Sequence, residues 1–414
     1  MSMGNKVPEI RFKGFSGEWN NLALGENARF TKGQGYSKGD LVSNGSPIIL
    51  YGRLYTRYQT VINDVDTFVN EKAKPLKSIG GEVLVPASGE SPEDISRASV
   101  VNVPNVILGG DLNVIYPNRK IDSVFLALAI SNGHIKKELS SKAQGKSVVH
   151  IRNADLADLS ITLPCDKPEQ TAIGNTFQKL DSLINQHQQK HDKLSNIKKA
   201  MLEKMFPKQG ENIPEIRFKG FSGEWEEKGI TDISKVFIGL VTTMTTSYRS
   251  KGVLLIRNSD IKSNRFEFSV NPIYLDEKFA DENSSRRLML GDVVTVHTGD
   301  VGTSAVVTEK EEGSIGFATI VSRPNKNIVD SNYLSVFLNT DIHKSFAINV
   351  STGDGRANYN LKDFYKLNVP LPAVDEQAKI GNYFQKLDEL INQHQQQITK
   401  LNNIKQACLS KMFV

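Results

Sequence analysis

The sequence predicts an α+β (mixed α/β) protein: two similar globular domains related by a pseudo-twofold axis and separated by two long antiparallel coiled-coil helices. Three observations carry that prediction. The 414-residue chain repeats itself at an offset of about half its length, a heptad seam runs through the end of each copy, and each copy encloses a stretch of strand and turn signals. Length alone already argues for two or three domains, since one hydrophobic core rarely fills so long a chain.

The first match is P-E-I-R-F-K-G-F-S-G-E-W, which runs from Pro8 to Trp19 and returns unchanged from Pro214 to Trp225. The second aligns Pro168–Phe206 with Asp375–Phe413, where 27 of 39 positions are identical. Between these frames lie two dissimilar inserts of similar length, Asn20–Lys167 and Glu226–Val374. Near-identical frames around unlike inserts point to one scaffold presenting two surfaces. A faint echo inside the inserts, Gly80–Gly89 against Leu290–Gly299, reads in both as a turn, a buried strand and a second turn. The segments are therefore 1–167, an arm and the first domain; 168–207, a central helix; 208–374, an arm and the second domain; and 375–414, a distal helix.

The helical seam of the first copy runs through Ile173, Phe177, Leu180, Ile184, His187, His191, Leu194, Lys198, Met201 and Met205 in steps of four and three. The second copy keeps it at Ile380, Phe384, Leu387, Ile391, His394, Ile398, Leu401, Lys405, Cys408 and Met412. Such a seam needs a partner, and the other copy is the nearest. His187, His191 and His394 fall near the midpoints. A metal cluster there is the sharp reading and polar register residues the plain one, favoured because Ile398 replaces one imidazole in the second copy. Lys198 and Lys405 interrupt the seam, while Ile197, Leu202, Ile404 and Leu409 form a displaced apolar stripe. That stripe suits the arms, whose Ile10, Phe12, Phe15 and Trp19, with Ile216, Phe218, Phe221 and Trp225, are too apolar for free linkers.

Composition excludes several classes. Hydrophobic residues at 39% and charged residues at 23% fit a globular protein rather than a collagenous, disordered or membrane-spanning one. No stretch approaches the ~20 apolar residues of a bilayer span, and Met1–Pro8 lacks a leader pattern, so a cytoplasmic location without a membrane partner is expected. Cys165 and Cys408 are too far apart for a disulfide framework and are expected to pack as small apolar side chains. A net charge of +5 requires any nucleic-acid surface to be a local patch.

The order of these segments, with F-S-G-E-W before each insert, P-C-D-K-P-E-Q-T-A-I-G and P-A-V-D-E-Q-A-K-I-G entering the helices and K-M-F closing them, resembles the specificity subunit of type I restriction-modification enzymes. The resemblance covers the chain from end to end. It implies two target-recognition domains, each reading half of a split site in double-stranded DNA, and a helical pair that acts as ruler and as dock for two modification subunits. It also implies restriction subunits in the assembly and no active site or cofactor in this chain. S-adenosylmethionine, ATP and Mg would belong to the partner subunits.

Rival readings are a self-sufficient methyltransferase or nuclease, and a coiled-coil adaptor that never touches DNA. Gly145–Ser147 lacks the first glycine of a phosphate loop, since position 140 is Ser140. N-P-I-Y at Asn271–Tyr274 lacks the second proline of an adenine methyltransferase motif. Asp260, Asp276 and Lys278 form a nuclease-like set only by spacing. No catalytic or metal-binding residue is expected.

Base reading needs forked or paired donors and acceptors on loops and strand ends. In the first domain the candidates are Lys32, Gln34, Tyr36 and Lys38 of a glycine-rich loop; Tyr51, Arg53, Tyr55, Arg57 and Tyr58, alternating aromatic and basic if extended; Ser88 and Glu90; and Gln144, Lys146, His150 and Arg152. In the second they are the hydroxyl-rich loop Thr242–Arg249 with Arg249, then Arg257, Asn258 and Ser259, then His297, Thr298 and Thr303, then Thr352, Arg356, Asn358, Tyr359 and Asn360.

Overall fold

The computed structural model describes residues 6–72, 74–145, 148–353 and 355–413. The chain divides into two compact units, Met1–His187 with Gln396–Val414, and Gln188–Gln395. Each unit contains one globular domain and half of each long helix. The first long helix runs Lys167–Lys204 and the second Val374–Met412. At 38 and 39 residues they measure about 57 and 58 Å.

The two domains share a topology that their sequences barely reveal. In the first, strand Glu82–Pro86 is buried at all five positions and lies inside a five-stranded sheet, between Leu112–Pro117 and Ser99–Val101. In the second, Val293–Thr295 lies between Ile320–Pro324 and Ser304–Val306. Each domain adds a four-stranded sheet containing one parallel pair, Ser46–Ile49 with Ile107–Leu108 and Val253–Arg257 with Ile315–Phe317. The turn into each buried strand is closed by a buried carboxylate: Glu82 accepts the amide of Gly80 at 2.9 Å, and Asp292 that of Met289 at 2.9 Å.

Each insert begins and ends on its own two-stranded antiparallel neck. Asn20 pairs with Leu163 and Ala23 with Ser160; Glu226 pairs with Leu371 and Gly229 with Asn368. The entry and exit of a domain are therefore adjacent, and its interior can diverge without disturbing the frame.

The repeated residues at the helix starts make the joint between frame and domain. Gln170 accepts the Asp122 amide at 2.9 Å and donates to the Pro164 carbonyl at 3.1 Å; Gln377 does the same with Asp330 at 2.9 Å and Pro372 at 2.8 Å. Four residues on, glycine is required by close approach. A Cβ at Gly174 would meet Val124 at 3.2 Å, and one at Gly381 would meet Asn332 at 2.8 Å. Glu169 and Glu376 are buried and grip the arms. Arg11 reaches Glu169 with two bonds of 2.7 Å, and Arg217 reaches Glu376 at 2.8 and 2.7 Å.

The arms pack largely as their apolar content predicts, although Ile10 is exposed. Trp19 and Phe12 join a core with Phe125, Ile173, Phe177, Leu409, Met412 and Phe413, and the Ile10 amide donates to Lys411 at 3.2 Å. Trp225, Ile216 and Phe218 do the same in the other unit with Tyr333, Ile380, Phe384, Met205 and Phe206. Within each unit the start of one long helix thus lies against the end of the other, an antiparallel arrangement. The seam side is the shielded one: Leu180, Ile184, His187, Leu194, Ile391, His394 and Leu401 are half-buried and Leu387 and Ile398 buried, while flanking Leu183 and Leu390 are exposed. The displaced stripe at Ile197, Leu202 and Leu409 packs into these cores, but Ile404 is exposed. Cys165 departs from expectation. It is exposed, because it sits in the short turn between the neck strand and the helix.

Candidate nucleic-acid interface

In the first domain, loops far apart in sequence border one cleft of about 1060 Å³. Tyr36, Lys38, Tyr51, Arg53, Tyr55 and Arg57 all line it. The segment Tyr51–Tyr58 is not an extended strand, because Arg53–Thr56 is a helical turn. Helical spacing puts Arg53 and Arg57 on one side, and both bind Asp66. Arg53 is spent on structure: its side chain is 8% exposed and its guanidinium also donates to Gln59 at 2.9 Å and to the Asp64 carbonyl at 3.0 Å. Tyr36 is likewise buried. Its hydroxyl accepts the Lys72 amide at 2.7 Å, with the Lys72 ammonium 4.8 Å from the ring centre, so it braces the loop rather than offering a stacking face. Lys32, Gln34 and Lys38 are exposed, and Arg57 is half-exposed.

Ser88 is also buried, for it forms strand Ser88–Gly89, which pairs with Val149–His150. Gln144 and His150 bridge through two backbone bonds of 3.1 and 2.9 Å and close a hairpin; Lys146 lies outside the described residues. Gln144 and His150 are exposed, as is Arg152 just beyond.

The second domain builds the same device. Thr352 and Asn358 bridge through bonds of 3.1 and 2.9 Å, and Asn358 also bridges Thr298, the counterpart of Ser88. Both hairpins turn on a glycine of positive φ, Gly145 at 139° and Gly353 at 126°. The clusters Asn258, His297–Thr298 and Asn358 converge by direct bonds. Asn258 accepts the His297 amide at 2.8 Å and donates to Ala318 at 3.0 Å, and the Thr298 hydroxyl donates to Asn358 at 2.9 Å. With that proton committed, the 2.8 Å contact between His297 Nδ1 and Thr298 makes Nδ1 the donor. Burial lowers the His297 pKa, so the neutral ring keeps Nε2 as an acceptor.

Several candidates here are held rather than presented. Arg257 is locked on Asp260 by bonds of 3.0 and 2.8 Å. Tyr359 is buried on His343, whose Nδ1 donates to the Leu338 carbonyl at 2.7 Å, leaving Nε2 to accept the tyrosine hydroxyl at 3.3 Å. Asn360 is half-buried and donates to Thr352 at 3.3 Å. Arg249, Ser259 and Arg356 are exposed, and Arg249 reaches Asp276 at 3.4 Å. The nuclease-like set is not assembled: Asp260 is bound to Arg257, and Asp276 caps a helix by accepting the amides of Lys278 and Phe279. Among the described residues no group of three or more His, Cys, Asp or Glu is placed to hold a metal ion. His191 contacts Asp192 at 3.0 Å. Sequence reasoning missed Asp66 and the two Arg–Glu clamps, although both partners of each clamp stand in the repeated frames.

Two domains of one topology, each carrying a glycine-turned hairpin against a buried strand end, define a duplicated recognition fold. The family model of the type I restriction modification DNA specificity domain matches residues 16–196 and again 222–403, and the chain belongs to that family. It is similar to the EcoDI specificity subunit of Escherichia coli, 23% identical over 314 residues that cover 68% of this chain and 67% of that one. It is also similar to the MjaX specificity subunit of Methanocaldococcus jannaschii, at 24% over 49% of this chain, and to the EcoBI specificity subunit of Escherichia coli, at 27% over 39%. The matched parts span 48% and 35% of those two relatives. The crystal structure of the type I restriction-modification S subunit from M. genitalium shares the fold, with a TM-score of 0.61, 15% identity and 99% of both chains covered. Among the described residues no helix is long and apolar enough to cross a membrane.

Proposed function

We propose that this chain is the DNA sequence-recognition subunit of a type I restriction-modification system. Each domain reads one half of an asymmetric bipartite site, the long helices fix the spacing, and the repeated frames dock two copies of a modification subunit. Adenine methylation, and cleavage where restriction subunits join, are carried out by those partners, which hold S-adenosylmethionine, ATP and Mg. The chain itself is non-catalytic and acts on chromosomal DNA in the cytoplasm.

The observation that carries this reading is the contrast between frame and insert. Two domains of unlike sequence hang from near-identical frames by necks of matching register, Asn20–Leu163 and Glu226–Leu371. An enzyme would keep its reacting groups in both copies or in one; here the inserts differ along their whole length, the two hairpins included. Such a hairpin, with amide, hydroxyl and guanidinium groups at its base, suits base edges in a groove, while exposed lysines and arginines suit phosphates. Half-sites about one helical turn apart would lie on one face of the duplex.

Methylome sequencing of a bacterial host expressing the chain with its modification subunit tests the proposal. A split motif with two different halves and one methylated adenine on each strand is the expected result. Methylation at a short continuous motif, or methylation by this chain alone, would favour a self-sufficient enzyme. Binding of the partner with no DNA protection would favour an adaptor.

A further inference from the structure

Two lysines interrupt the helical seam, and each is neutralised by the facing helix. Lys198 Nζ lies 2.5 Å from Asp388 Oδ1, and Lys405 Nζ lies 2.5 Å from Asp181 Oδ1. The lysine side chains are 16% and 18% exposed and the carboxylates 25% and 33%, so each ion pair is partly withdrawn from water. The four residues are repeat equivalents, and each pair falls inside a single unit.

Each carboxylate has a second oxygen, and that oxygen reaches the globular domain. Asn264 Nδ2 donates to Asp388 Oδ2 at 3.0 Å, and Thr60 Oγ1 donates to Asp181 Oδ2 at 3.3 Å. We propose that Asp181 and Asp388 are positioning residues that key each recognition domain to its helix pair and so restrict the spacing allowed between half-sites. This rests on the bipartite DNA reading above.

The second domain shows why the link transmits orientation. Asn264 sits in the two-residue turn of the hairpin Ile261–Phe266 with φ of 59°, a conformation asparagine tolerates. Its amide is committed on both sides. Oδ1 accepts Ser335 at 2.9 Å and Asn339 at 3.0 Å, and its backbone amide donates to Ser304 at 2.8 Å. A displacement at Asp388 is thus passed to the sheet through Ser304 and to the helix Ser331–Leu338. Next to this bond, Ser263 and Arg265 of the hairpin and Gln385, Glu389 and Asn392 of the helix line a cleft of about 180 Å³. Packing is open there, so the polar link bears more of the orientation. In the first domain the equivalent bond is longer and comes from a lone hydroxyl, which makes its key the weaker of the two.

Changing a spacer by one base pair moves a half-site by about 3.4 Å and turns it by roughly a tenth of a circle. A rigid key rejects that change and a loosened one accepts part of it. The test is selection from a duplex library with randomised half-sites and randomised spacer length, using the full chain with its modification subunit. Wild type is expected to enrich one spacer. Asp388→Asn and Asn264→Ala should keep the same bases in both halves while the preference over spacers one base pair longer or shorter falls about tenfold, as expected for loss of ~1.4 kcal/mol. Asp181→Asn should show a smaller fall. Asp388→Asn is isosteric; should it misfold, Asn264→Ala alone decides, with melting curves as the control. Unchanged spacer preference in folded variants, or a loss of base preference equal to the loss of spacing preference, would overturn the assignment. If wild type enriches no split site, the DNA reading fails and the key falls with it.

Discussion

Replacing Arg11 with methionine removes one side of a buried ion pair and leaves the other stranded. Glu169 is 1% exposed and takes two 2.7 Å bonds from Arg11, whose own side chain is 14% exposed. Among the described residues no second cation is bonded to Glu169, so Arg11→Met strands a carboxylate in the core, at a cost of about 3–5 kcal/mol. The carbonyls of Ser16 and Gly17, which Arg11 also holds, lie in exposed turns and regain water at little cost. The assay follows from the composition: the chain has two tryptophans, Trp19 in one unit and Trp225 in the other. Urea unfolding followed by fluorescence in a Trp225→Phe background should show the Trp19 transition lowered by that amount. The Trp225 transition, read in a Trp19→Phe background, should move little. Adding Glu169→Gln to Arg11→Met should recover part of the loss, because the stranded charge is gone. A loss under about 1 kcal/mol, or equal shifts of both transitions, would refute the clamp as the joint between arm and helix.

His343 gives the second domain a pH dependence. Burial lowers its pKa from 6.5 to about 4, so the folded state binds the proton less readily than the unfolded chain, and stability is full above pH 6.5. It is lost as pH falls from 6.5 towards 4, by up to about 3 kcal/mol, and His343→Gln should flatten that slope in urea titrations. Gly353→Ala would place a Cβ 2.4 Å from the Arg356 carbonyl at a φ of 126°, so DNA selection should show the half-site read by the second domain weakened and the other intact. Arg53→Ala should destabilise the first domain by about 1–3 kcal/mol, since a largely buried guanidinium and its part-buried bond to Gln59 are lost, whereas the exposed Asp66 and Asp64 carbonyl regain water. Arg57→Ala, at a half-exposed position, should change melting by less than about 0.5 kcal/mol.

The frame was readable because its physics is local and duplicated. A seam from Ile173 to Met205 that recurs from Ile380 to Met412 announces two helices by period alone, and arms with Phe12 and Trp19 announce a buried destination. The reading surface was harder. Arg53 and Tyr36 have the right chemistry in the wrong environment, and only the fold reveals that Asp66 and the Lys72 amide claim them. The pattern Y-G-R-L-Y-T-R-Y supports alternation as well as a helical turn, and the turn prevails because it lets two arginines share Asp66. Side-chain comparison alone does not register the hairpins as one device, because Gln144–His150 and Thr352–Asn358 share only the glycine and the backbone bridge.

The central claim is that the domains are independent, exchangeable readers on one frame. Its most direct measurement is methylome sequencing of a chimera in which Glu226–Leu371 is replaced by a second copy of Asn20–Leu163, joined at the paired neck strands. The predicted result is a symmetric site, the first half-site followed by its inverted repeat at nearly the original spacing. An unchanged asymmetric site, or a new one unrelated to the first half, would contradict the account.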